Sequence, residues 1–178
     1  MTKQSHSGSP ETNPTTSITG LRAALIGRVI SSDDAGYDEA RKVFYAGIDR
    51  RPAVIIRVAS VADVSQVVSL ARETGLNLAV RSGGHSLAGH SVSDGGIVLD
   101  LSGMKGLELD GAGRSAWAET GLTAGEYTDP AGAHGLATGF GDTGSVGIGG
   151  ITLGCGVGYL VRKYGLTIDH LLAGMRTT

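Results

Sequence analysis

The spacing of apolar positions changes several times along the chain, and each change predicts an element. Ile18, Leu21, Leu25 and Ile26 share one face at helical spacing and predict a short helix over 18–29. Asp38 to Asp49 shows neither helical nor strand period and reads as irregular. Pro52 then precedes Ala53-Val54-Ile55-Ile56-Arg57-Val58, a β-branched run of strand length. Ser60 is a good N-cap, and Asp63 three residues later is placed to close a capping box. Val64, Val67, Val68 and Ala71 recur on one face, so a helix is predicted over 61–74, with Gly75 ending it. Asn77 to Val80 predicts the next strand. Strand, helix, strand in that order predicts a parallel pair joined by a right-handed crossover.

After Val80 the pattern turns to short runs between turn residues. Gly96-Ile97-Val98-Leu99-Asp100, Gly106-Leu107-Glu108-Leu109-Asp110 and 114–119 predict three short strands. Thr123 to Gly135 predicts a helix made imperfect by Pro130. A glycine-rich segment runs from Gly139 to Gly150 and continues through Ile151 to Gly158, followed by a helical turn at 159–164. Leu171 to Thr178 reads as the start of a strand, which predicts that the natural chain continues. At the other end, Met1 to Ser17 is polar and carries Ser, Thr, Pro and Gly, the composition of a disordered tail.

Composition adds one strong signal. Glycine supplies 30 of the 178 residues, and 22 of these lie between Arg81 and Gly158. Glycine costs roughly 0.5–1 kcal/mol inside a helix or strand, so a stretch this rich in it needs bends or a close approach to something. The rest excludes function classes. Net charge is −2 and the 15 basic residues are scattered, which argues against nucleic acid and against an anionic membrane surface. No apolar run approaches the ~18 residues of a spanning helix, and the first residues hold no signal-peptide core. A single cysteine, Cys155, allows no internal disulfide and no cysteine zinc cluster, so the expected setting is reducing and cytoplasmic.

The chemistry concentrates at Arg81-Ser82-Gly83-Gly84-His85-Ser86. A strand that empties into Ser-Gly-Gly turns several backbone N–H groups into one tight bend, a natural cradle for phosphate oxygens. An imidazole just past the glycines is then close to whatever carries the phosphates. Other motifs are weaker. Gly139-Phe140-Gly141-Asp142-Thr143-Gly144 fits Gly-x-Gly-x-x-Gly but follows no apolar strand, so a Rossmann fingerprint is not supported. No Gly-Lys-Ser/Thr exists, which excludes a P-loop. His90 lies five residues after His85, yet no carboxylate or cysteine sits at ligand spacing, so no metal is expected. Asp142 and Thr143 read as turn-shaping residues, and His134 and His170 carry no pattern.

These residues resemble a known family. Arg81 to Ser86, Gly89, the run Asp94 to Leu101 and Met104 resemble the flavin-binding (PCMH-type) domain of the vanillyl-alcohol-oxidase superfamily, in its berberine-bridge-enzyme and 6-hydroxynicotine-oxidase branch. Gly141 to Gly158, with Arg162-Lys163-Tyr164-Gly165-Leu166 and Asp169, are similar to the second flavin segment of that branch. The resemblance implies an α+β fold of two α/β subdomains, one over about 18–105 and the start of another over about 106–178. It also implies that the substrate domain lies outside the chain. FAD would sit between the subdomains. The implied cofactor-binding residues are Arg81, Ser82, Gly83, Gly84, His85, Ser86, Gly89 and His90 in the first segment. In the second they are Asp142, Thr143, Gly144, Ser145, Gly147, Ile148, Gly149, Gly150 and Gly154. His85 matches the position that bonds the 8α carbon of the flavin. Cys155 falls where the family has glycine, so a single histidyl link is expected and Cys155 reads as a small packed residue.

The implied activity is hydride transfer from an alcohol, sugar or amine C–H to flavin N5, with O₂ as acceptor and a small molecule as substrate. The catalytic base is expected beyond Thr178. A non-catalytic flavin- or nucleotide-binding module is the alternative, and a glycine-rich structural domain without cofactor a third reading.

Overall fold

The computed structural model describes residues 20–172. Four strands form the first sheet: β1 (Arg28–Ser31), β2 (Val54–Arg57), β3 (Leu78–Arg81) and β4 (Ile97–Asp100), in the order β1-β2-β4-β3. β1 is antiparallel to β2, whereas β2, β4 and β3 are all parallel. The expected parallel pair, β2 and β3, is therefore present, but β4 inserts between its members. Among the described residues this part carries the helices α1 (Tyr37–Ala40) and α2 (Val61–Thr74), besides a helical turn at 20–24.

β2 and β4 lack polar alternation because both of their faces are covered. Val54, Ile56, Ile97 and Leu99 pack with Val67, Leu70 and Ala71 of α2. Ile55, Val98 and Ala79 pack on the other side with Ile30, Tyr37 and Val92. Within α2 the stripe differs from expectation at one position. Val68 is exposed and Leu70 takes its place in the core. Ser60 caps α2 by accepting from the Asp63 N–H at 3.1 Å, and Gly75 ends it at φ +67°.

Asp63 does not close the capping box. Its carboxylate accepts instead from the N–H groups of Ile26 (3.1 Å), Gly27 (3.0 Å) and Ala59 (2.9 Å). The side chain thus ties the bend before β1 to the start of α2. That bend corrects the helix expected over 18–29. The helical turn closes at residue 24, Ile26 is exposed, and Val29 lies in β1. Ile18, the tail at 1–17 and most of the expected C-terminal strand lie outside the described residues.

The later part is built from a hairpin and short helices. β5 (Leu107–Asp110) pairs antiparallel with β6 (Ser115–Ala118). α3 (Ala124–Ala133) begins with a complete capping box between Thr123 and Glu126, and Pro130 lies inside it. α4 (Ile148–Leu153) rises out of the glycine-rich segment, where no helix was expected. α5 (Val161–Tyr164) falls on the expected helical turn, and a 3-10 turn spans Thr167–His170. Leu122, Ala124, Phe140 and Ile148 form the core of this part. No helix among the described residues is long and apolar enough to cross a membrane.

Candidate functional site

The parallel register brings three charged residues level at the carboxyl ends of the strands. Asp100 on the central strand β4 pairs in register with Arg57 on one side and Arg81 on the other. Its Oδ2 accepts from Arg57 Nε and Arg81 Nη2, each at 3.0 Å, and its Oδ1 accepts from the Ser102 N–H at 3.0 Å. Asp100 is 1% exposed. Burial, the largest single influence, pushes its carboxyl up, but the Arg81 charge and the Ser102 bonds together hold it below the usual carboxylate range. Sheet crevices at the carboxyl ends of parallel strands are where open α/β sheets bind ligands. A groove of about 500 Å³ lies here, lined by Arg28, Lys42, Phe44, Arg57 and the loop residues Ser82 and Gly84 among others.

From Arg81 the chain leaves the sheet into the glycine loop. The N–H groups of Gly83, Gly84, His85 and Ser86 make no hydrogen bond among the described residues. The bend is held by its surroundings. Ser82 Oγ donates to the Thr120 carbonyl at 2.5 Å, and Phe44 N–H donates to the Gly84 carbonyl at 3.1 Å. Farther along, Ser86 Oγ accepts from the His90 N–H at 3.1 Å. Arg50 Nη1 grips the carbonyls of Gly89 and Val92 at 2.7 and 2.9 Å.

The second glycine segment meets this loop directly. A Cβ on Gly147 would lie 2.1 Å from Gly83 N and 2.2 Å from Ser82 Oγ. One on Gly83 would lie 2.2 Å from Gly147 N. The two segments thus cross backbone on backbone. The second is pinned by Gly125 N–H to the Gly144 carbonyl, Ala124 N–H to the Val146 carbonyl, and Ile148 N–H to the Leu122 carbonyl. The N–H groups of Gly144, Ser145, Gly147, Gly149 and Gly150 make no hydrogen bond among the described residues.

His85 sits at the junction. Its ring stacks on Phe44 with centroids 3.9 Å apart, and its Nε2 is 3.1 Å from Ser145 Oγ. Burial lowers the imidazole pKa, and the Ser145 backbone works against that shift without reversing it. The shift favours the neutral ring over the imidazolium. Of the remaining expected site residues, His90, Asp142 and Thr143 are exposed, and Thr143 Oγ1 donates to Asp142 at 3.1 Å. Gly154 caps the far end of α4, and no hydrogen bond among the described residues ties it to the first loop. Arg81 lines the groove, with its side chain largely buried and its guanidinium paired with Asp100. Phe44, Arg50, Arg57, Asp100 and Thr120 were not singled out from the sequence. Only the register of the strands marks the pair Arg57 and Asp100.

Cys155 is exposed rather than packed, and its φ of +74° lies in the left-handed region. A non-glycine residue there carries strain of order 1–3 kcal/mol. Cys155→Gly is expected to stabilise the protein by about 1 kcal/mol in urea denaturation, a size set by the release of such strain. Cys155→Ala, which removes the sulfur but keeps the strained backbone, should give no such gain. Equal behaviour of the two variants would assign the effect to the thiol.

The family described as FAD binding domain matches residues 52–175. (R)-6-hydroxynicotine oxidase of Paenarthrobacter nicotinovorans is 40% identical over 155 residues, covering 87% of this chain and 34% of the relative. The crystal structure of 6-hydroxy-D-nicotine oxidase from Arthrobacter nicotinovorans superposes with a TM-score of 0.80 at 40% identity, covering 82% of this chain and 32% of that one. Glucooligosaccharide oxidase from Acremonium strictum, described with a 6-S-cysteinyl, 8α-N1-histidyl FAD, gives 0.79 at 28% identity, covering 86% and 33%. The chain spans about a third of the length of the curated relatives it matches.

Proposed function

The chain belongs to the FAD binding domain family, an enzymatic family of FAD-linked oxidoreductases, and we propose from that premise that it holds FAD across the crossing of its two glycine segments. The observation that carries this reading is the donor set. Two facing stretches offer nine N–H groups with no acceptor among the described residues, four in the first and five in the second. Unpaired backbone donors are costly unless water or a ligand meets them. The phosphate oxygens and the polar edge of a flavin ring are acceptors of the right kind, so the residues fit the group.

In this reading Gly83 to Ser86 would hold the pyrophosphate, and Gly144 to Gly150 would meet the flavin ring. Phe44 and Ser145 hold the His85 ring. With Nε2 on Ser145, Nδ1 makes no hydrogen bond among the described residues and is the nitrogen offered to the 8α carbon. His85 contributes the lone pair of the C–N bond. Forming that bond would release one methyl proton and the imidazole N–H proton, and dioxygen would take the two electrons. The bound flavin supplies hydride acceptance at N5 from an alcohol, sugar or amine C–H, with O₂ as acceptor, while the protein positions and tunes it.

The test uses the longest natural form of the protein, loaded with FAD and then denatured in acid. Wild type is expected to keep its yellow colour in the protein band, and His85→Ala to release all of it. Colour that leaves wild type on denaturation would leave the FAD reading standing and remove the covalent link. Absence of flavin before denaturation would remove both.

A further inference from the structure

We propose that the groove at the carboxyl ends of the parallel strands binds a small organic phosphate, gripped by the facing pair Arg28 and Arg57. The sheet register builds the site. Arg28 on β1 lies opposite Arg57 on β2, Arg57 is level with Asp100 on β4, and Asp100 is level with Arg81 on β3. Two residues further into the sheet the corresponding row is Ile30, Ile55, Val98 and Ala79, which pack together as core. Alternate residues of a strand share a face, so the charged row caps that core. Three guanidiniums there meet one carboxylate, which leaves two positive charges in excess.

Like charges directly opposite one another destabilise a strand pair. Asp100 does not relieve Arg28, because its Oδ2 already accepts from Arg57 Nε and Arg81 Nη2. Glu39, the other carboxylate of the groove, pairs with Lys42. Arg28 is exposed and makes no ion pair among the described residues, and the Arg57 side chain is 41% exposed, so both can reach a ligand. Two guanidinium forks on one wall suit an oxyanion, and a phosphate monoester brings close to the two negative charges that the row lacks. The groove has room for more than the phosphate. Its volume of about 500 Å³ is that of a small-molecule pocket, and Ile30, Ala40, Val43 and the half-exposed Phe44 give it an apolar wall. A phosphate with a compact organic body matches both parts. The FAD reading leaves this pair unused, since it takes backbone N–H groups of the two glycine segments, and neither Arg28 nor Arg57 lies in them.

The test is calorimetric titration of the longest natural form, loaded with FAD, using glycerol 3-phosphate, inorganic phosphate and glycerol as probes. Glycerol 3-phosphate is expected to bind saturably at millimolar concentration or below, inorganic phosphate more weakly, and glycerol not at all. Arg28→Gln should weaken glycerol 3-phosphate roughly tenfold to a hundredfold, the effect of losing one charged hydrogen-bond partner. Without ligand the same variant should melt at or above the wild-type temperature, because the like-charge pair is gone. Added ligand should raise the melting temperature of wild type by mass action and that of the variant far less. A purely structural arginine would not give these opposite effects. No saturable binding to the loaded protein, or Arg28→Gln binding as tightly as wild type, would overturn the proposal. Equal affinity for inorganic phosphate would overturn the organic body. Binding only before FAD is loaded would overturn the separate site and give both arginines to the cofactor's own phosphates. If the protein takes up no FAD, the reading of the preceding section fails, and the same titration with and without Arg28→Gln still decides the phosphate site.

Discussion

Gly147→Ala is expected to destabilise the protein by about 3 kcal/mol or more, the upper range of overpacking costs, and to abolish flavin retention. The added Cβ would lie 2.1 Å from Gly83 N and 2.8 Å from Gly83 Cα. Those are backbone atoms and cannot rotate aside. Relief requires the two segments to part, which moves Gly83 and Gly84 away from Ser145 and breaks the contact that orients His85. The same argument runs in reverse for Gly83, whose Cβ would lie 2.7 Å from Gly147 Cα. Gly47→Ala is the control, because nothing lies within 4 Å of a Cβ there. Urea denaturation and flavin content of the purified protein measure both effects. A Gly147→Ala protein as stable and as yellow as wild type would mean that the segments do not cross in contact.

That crossing also shows where the sequence stops being informative. The glycines at 83, 84 and 147 stand out from sequence alone as places where a backbone must come close to something. At Gly83 and Gly147 the partner is the other segment, so part of the glycine requirement is the fold's own. α2 was legible at both ends because Ser60 and Gly75 act within one turn of the chain. The order β1-β2-β4-β3 was not, because nothing local to Ile97–Asp100 says which neighbour it will take. The level trio of Arg57, Asp100 and Arg81 exists only through that order. Phe44 and Arg50 were missed for a related reason: they sit in a stretch without period and act on a loop some forty residues away. α4 was missed because Gly149 and Gly150 are poor helix formers. Its place is set by close packing, since a Cβ on Gly149 would come 3.0 Å from Thr120 Cβ.

Asp63 carries the second large effect. It is 1% exposed and accepts three backbone N–H groups from two separate segments. Burial, the largest single influence, raises its carboxyl pKa, yet the bonds from Ala59, Ile26 and Gly27 together leave it lowered. A carboxyl depressed in the folded state stabilises at pH above its unfolded value, near 4, and loses that contribution as pH falls through the folded value. Wild type is therefore expected to lose stability steeply below about pH 4, where a native carboxylate must take up its proton. Asp63→Asn presents an NH₂ to at least one of the three donors. Leaving one buried N–H unpaired costs about 1–3 kcal/mol, so a loss of roughly 2–4 kcal/mol at pH 7 is expected. The variant should also show a flatter acid limb, because the group that titrates is gone. Urea midpoints measured from pH 7 to pH 3 decide the matter. A variant that loses stability at pH 7 but keeps the wild-type acid slope would place the acid sensitivity on another carboxylate, with Asp100 the next to replace. A variant with no loss at pH 7 would mean that the bend at 26–27 is held without Asp63, by the packing of Leu21 and Leu25 on α2 and its sheet.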